Sequence, residues 1–160
     1  MSTAAATPST DRIHKHIVLT VNRSRVWQAL TNVDQFGEWF GVDLGQATFT
    51  PGARVQGRMR NPDWAHIPFE VTVEQMEPER LMSWRWHPDP SDPAFDYAAE
   101  PATLVVWQLE DHPAGTLLTV DESGFDALSP ARRANAFRGN SEGWTEQLAA
   151  ITSYVSRARP

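Results

Sequence analysis

The 160-residue chain contains no cysteine. That excludes disulfides, thiolate metal sites and cysteine nucleophiles, and it suits the reducing cytoplasm, the expected compartment. An excess of positive charge is also missing: 14 Lys and Arg stand against 20 Asp and Glu, a formal charge of −6. The basic residues are scattered, with Arg132–Arg133 the one adjacent pair, so nucleic acid is not an expected partner. No run approaches the roughly 18 consecutive apolar residues that a membrane helix needs. The first eleven residues, MSTAAATPSTD, are small and polar. They lack the charged and apolar regions of a signal peptide and read as a frayed tail over 1–11, before a single domain over 12–158. There is no G-x-S-x-G, no phosphate-cradling glycine loop and no dinucleotide fingerprint.

What the chain has in unusual number is tryptophan. Seven Trp stand beside seven Phe and only two Tyr. Each such ring buries about 150–250 Å², so the set either fills a core or lines a cavity.

Local patterns give the element order. Ile13–Val21 is rich in β-branched residues and reads as a strand. Ser24 is expected to cap a short helix over 25–31, with Val26, Trp27 and Leu30 on one face, and Asn32 or Asp34 a second over 35–40, ending at Gly41. Strands are expected at 47–49 and 54–59 around the Pro51-Gly52 turn, then at 69–76, 81–87, 103–110 and 116–122. Between His87 and Pro101 the segment HPDPSDPAFDYAAEP is too proline-dense for regular pairing and reads as an irregular excursion. Ser129-Pro130 marks a helix start, Ser129 as cap and Pro130 at the first position. From there Ala134, Phe137, Ser141, Trp144, Leu148, Ile151 and Val155 recur at spacings of three and four, a helical stripe reaching Ser156, with a kink conceivable at Gly139 or Gly143. Consecutive strands joined by short turns favour an antiparallel meander covered by that helix, an α+β architecture.

The segments SRVWQALTNVDQFGEWFG, PGARVQGRM, VTVEQMEPERLMSWRW, ATLVVWQLE, GTLLTVDESGF and EGWTEQLAAITSYV stand in the order of a known family. Together they resemble the homologues of the activator of the 90-kDa heat-shock protein ATPase, within the START-related helix-grip (SRPBCC) superfamily. The resemblance runs from Ile13 to Val155. It implies a curved antiparallel sheet wrapped around a long C-terminal helix, with a cavity between them. Superfamily relatives bind lipids, hormones or polyketides, and a minority catalyse cyclisation. Eukaryotic members of the family stimulate a stress chaperone with the help of an N-terminal domain; with only the expected tail before residue 13, that activity is the least expected.

The candidate site follows from face parity. Met82, Trp84 and Trp86 share one strand face, and Val105, Trp107 and Leu109 form a similar row. With Val71 and Val73 they are expected to line an apolar pocket, or else to be plain core. Trp39, Phe40, Phe125, Phe137 and Trp144 would form its rim and lid, and unfilled room is expected between Phe137 and Trp144 on the helix and Trp84 and Trp107 on the sheet. Glu122 shares the parity of Leu118 and Val120, so it either points inward, its pKa raised by desolvation, or, as a strand-end residue, reaches solvent or pairs with an arginine. Arg85, Asn140 and Ser141 are secondary polar candidates. His14 and His16 read as a surface pair rather than metal ligands, and Asp89, Asp92 and Asp96 as a solvated face without the Gly and Glu of a calcium loop. Three functions are therefore expected, in this order: a binding protein for a small hydrophobic or aromatic molecule, as a monomer or dimer without cofactor or metal; an enzyme of the cyclase or hydrolase type with Glu122 as acid or base; and a module acting on a chaperone.

Overall fold

The computed structural model describes residues 9–157. Most of the expected tail, residues 1–8, and the expected domain end at 158 lie outside the described residues. Within them, Asp11 already binds the far end of the chain: its carbonyl accepts from Gly124 and Phe125, and its carboxylate accepts from the Asp126 amide at 3.0 Å.

Strand β1 (Arg12–Leu19) leads into two short helices, α1 (Arg23–Thr31) and α2 (Val33–Phe40). The cap of α1 lies two residues before the expected one, while those of α2 are among the expected residues. Asn22, not Ser24, accepts from the Arg25 amide and starts α1, because its extended backbone aims its side chain at the open turn; Ser24 instead donates to Glu79. Asn32 starts α2, and Gly41 ends it in the left-handed conformation, φ 85°. Strand β2 is only Val42–Asp43, followed by β3 (Arg54–Met59), β4 (Pro68–Glu77), β5 (Leu81–Trp86), β6 (Thr103–His112) and β7 (Gly115–Ser123). The strand expected at 47–49 does not form. The Pro51-Gly52 turn exists, but its backbone bonds to Val73 of β4 instead of closing a hairpin, and the partner of β3 is Val42–Asp43.

The seven strands form one antiparallel, curved sheet in the order β1-β7-β6-β5-β4-β3-β2. Since β1 and β2 lie at opposite edges, α1 and α2 carry the chain across the sheet. Helix α3 (Pro130–Arg157) then packs unbroken along the concave face; Gly139 and Gly143 do not interrupt it. The Ser129 backbone carbonyl accepts from Arg132 and Arg133, yet its hydroxyl finds no partner among the described residues. The buried stripe of α3 is Ala136, Trp144, Leu148, Ile151, Tyr154 and Val155. Ala134, expected on that stripe, is exposed, and Phe137 is half-buried.

The core is aromatic. Trp84 and Trp107 are wholly buried, their ring centroids 6.0 Å apart. Phe36 meets Trp84 edge-on at 5.9 Å, Trp39 meets Trp107 at 6.2 Å, and Trp144 stands perpendicular to Trp107 at 5.3 Å. Such offset and edge contacts add about 0.5–1.5 kcal/mol each beyond the area they bury. The room expected between Trp84, Trp107 and the last helix is therefore filled. Three large indoles meeting edge to face leave no gap there. Val71, Val73, Val105 and Phe125 are likewise fully buried core.

Candidate functional site

The open space lies one layer further out. A cleft of about 760 Å³ runs between the middle of α3, strands β3 to β5 and the loop 87–102. Its inner wall is aromatic: Trp86 and Trp144 stack at 5.6 Å and 24°, Phe69 meets Trp86 at 6.1 Å, and Phe40 meets Phe69 at 5.5 Å. Met59 and Ile67 continue it, Asn140, Gly143 and Gln147 form the helical side, and His87, Pro88, Tyr97 and Ala98 the loop side. The arginines at the rim are already paired, Arg54 with Glu70 and Arg85 with Glu74 at 2.7 Å.

Behind the wall sits Glu122, with no exposed surface. Strand alternation puts it there: it follows Leu118 and Val120 on the inner face of β7, opposite Ile13 and Val105 on the neighbouring strands. Both carboxylate oxygens are saturated. One accepts from Asn140 Nδ2 and Trp144 Nε1, each at 2.8 Å; the other accepts from Trp86 Nε1 at 2.8 Å and Thr103 Oγ1 at 2.6 Å. Burial pushes the Glu122 carboxyl above its ordinary value, and the four donors oppose that shift without cancelling it. Among the described residues no cation pairs with it. Three of its four donors, Trp86, Asn140 and Trp144, are themselves cleft residues.

A second polar junction holds the loop. Arg132, on the first turn of α3, donates to Glu100 at 3.0 Å and to the carbonyls of Pro88 and Asp89, and stacks over Tyr97 and Phe95 at 4.6 and 5.1 Å. The Ser129 amide completes it by donating to Glu100 at 2.9 Å. Burial alone pushes the Glu100 carboxyl up, but these hydrogen bonds and the guanidinium charge bring it below its ordinary value.

Of the residues singled out by parity, the structure brings Phe40, Trp86, Asn140 and Trp144 together at the cleft, with Arg85 at its rim and Glu122 directly behind. It does not bring Trp39, Val71, Val73, Trp84, Val105, Trp107 or Phe125 there. Trp39 instead donates to the Ala29 carbonyl at 2.7 Å, tying α2 to α1. Phe137 packs on Phe125 at 5.2 Å, beside a separate hollow near Ser9 and Thr10, and Ser141 is not a cleft residue. Phe69 and Thr103 were missed, although both share parity with inward neighbours, Val71 and Val105. His14 Nδ1 donates to the Asp121 carboxylate at 2.8 Å on the exposed face. Among the described residues no group of three acidic or His side chains is arranged to hold a metal.

The model of the family described as "Activator of Hsp90 ATPase homolog 1-like protein" matches residues 20–156. The chain belongs to this family. Solved structures similar to this member include a protein from Mesorhizobium loti, 24% identical, with 93% of this chain and 99% of the other covered at a TM-score of 0.72. A protein from Arthrobacter aurescens is 16% identical over 98% of this chain and 94% of its own, TM-score 0.74. The Aha1 dimer from Colwellia psychrerythraea is 15% identical over 93% and 98%, TM-score 0.70. At these identities the likeness is one of fold. No curated protein matches the chain. Among the described residues no helix is long and apolar enough to cross a membrane.

Proposed function

We propose that this family member binds a small hydrophobic molecule in the cleft walled by Phe40, Phe69, Trp86 and Trp144. A cleft of about 760 Å³ lies in the range of small-molecule sites, which are mostly apolar with a few placed polar groups. The observation that carries this is the attachment of the wall to Glu122. Burying a carboxylate without a counter-cation costs several kcal/mol, and folding alone would be served by an apolar side chain. Here the charge fixes two indoles and an amide of the cleft in single orientations. Preorganisation of that kind reduces what a ligand must spend on ordering its site.

The same geometry favours binding over catalysis. An acid or base must reach the substrate's proton within hydrogen-bond distance, whereas both oxygens of Glu122 are occupied and lie behind the rings. Chaperone activation belongs to the matched family's description and adds no residue here. The dimer is a property of the Colwellia protein.

Gly143 supplies the test. It borders the cleft, and a Cβ there would meet nothing within 4 Å. Gly143→Phe should therefore fill the cleft while leaving the fold intact, and Gly143→Ala should stabilise α3 by about 0.5–1 kcal/mol. Titrating the wild type with uncharged aromatic probes is expected to give a saturable change in tryptophan fluorescence that Gly143→Phe abolishes. An equal response in both proteins, or none in the wild type, would overturn the proposal.

A further inference from the structure

We infer that Asn140 determines which ligand the cleft accepts, by presenting an unengaged carbonyl oxygen to a hydroxyl or N–H on an otherwise apolar, uncharged molecule. The inference rests on the cleft being the binding site.

The orientation of Asn140 follows from its partner. Glu122 Oε1 accepts from Trp144 Nε1 and from Asn140. An indole N–H only donates, so Glu122 Oε1 acts there as an acceptor. The amide must therefore turn its nitrogen to Glu122, and its oxygen then lies on the opposite branch of the planar group. That oxygen accepts no hydrogen bond from the described residues, while the residue itself borders the cleft. One turn further along α3, Gly143 leaves open space and Trp144 supplies a ring, so Asn140 borders the cleft beside an apolar surface.

The chemistry selects on two counts. A group that offers a proton satisfies the oxygen, whereas an ether or hydrocarbon in the same position strips it of water without replacement. A site that hydrogen-bonds a ligand hydroxyl discriminates strongly against the analogue lacking it, because the buried partner is left unpaired. A carboxylate ligand fares worse, since it brings only acceptors and its charge would face Asn140 Oδ1, with the Glu122 carboxylate behind. Phenols and other neutral aromatic alcohols fit both requirements; fatty acids and aromatic acids do not.

Calorimetric titration at pH 7 with 2-naphthol, 2-methoxynaphthalene and 2-naphthoate tests this. The wild type is expected to bind 2-naphthol about tenfold tighter than its methyl ether, the worth of one good hydrogen bond, and 2-naphthoate more weakly than 2-naphthol. Asn140→Leu should bring the ratio of 2-naphthol to ether affinity down to about one, whatever the affinity of each. A merely structural role for Asn140 would shift both probes together. Equal binding of 2-naphthol and its ether in the wild type, tightest binding of 2-naphthoate, or preserved selectivity in Asn140→Leu would each sink the inference while the cleft still stands as a site. Failure of all three probes to bind would remove the cleft proposal itself, and this inference with it.

Discussion

Glu122 stands between two indole N–H groups, those of Trp86 and Trp144, and accepts from both. That requirement explains why a carboxylate occupies the position. A glutamine offers one acceptor oxygen and one donor nitrogen, yet each of the two sites already holds an indole donor, so Glu122→Gln must leave one of them unpaired, at about 1–3 kcal/mol. The carboxyl also titrates. Its folded pKa is raised above the ordinary value of 4.5, so between that value and the folded pKa the native state binds more protons than the unfolded one. Stability from this group is therefore fully present below the unfolded value and lost as pH rises through the folded pKa. Urea denaturation across a pH series should show wild type gaining on Glu122→Gln as pH falls toward about 4.5. A constant difference between the two proteins would remove the shift.

The loop 87–102 and the start of α3 act as one element through Arg132. Within the loop, the amide hydrogen bonds of Asp92, Ala94, Phe95, Ala99 and Glu100 are local. Its polar ties to the helix run through Arg132 and the Ser129 amide. The Arg132–Glu100 pair is mostly buried, with side chains 13% and 7% exposed, so truncating one partner strands the other. Arg132→Ala should cost about 3 kcal/mol and accelerate amide hydrogen exchange in the loop more than in β6 or β7. Uniform acceleration across the sheet would contradict the latch. Proline density marks residues 87–101 as irregular, but not what they pack on; that depends on where a guanidinium 30 or more residues later ends up. The same limit applies to α1, whose start was misplaced because Asn22 and Ser24 are both good caps and only backbone conformation chooses between them.

At the level of the whole molecule, one aromatic core joins the sheet, α2 and α3. Phe36, Trp39, Trp84, Trp107 and Trp144 form a continuous set of ring contacts, while Trp64 is exposed. Unfolding should thus be a single cooperative step. Tryptophan fluorescence and far-ultraviolet circular dichroism are expected to give coincident urea midpoints; separated midpoints would show that α3 and the sheet are held independently.

The α+β class, the strands other than Val42–Asp43, the long C-terminal helix and the parity that groups Glu122 with Leu118 and Val120 were determined by the sequence itself, because alternation and helical spacing assign each side chain to a face without reference to distant residues. Which faces meet was decided only in three dimensions. Trp84, Trp86 and Trp107 carry the same inward signature, yet two are sealed in the core and one borders a cleft, depending on how far along the strand α3 still covers the sheet. Parity names a face but not the depth at which a side chain lies on it, and so the cavity moved outward from where the aromatic rows pointed, to the place where helix and sheet part and a proline-rich loop closes the gap.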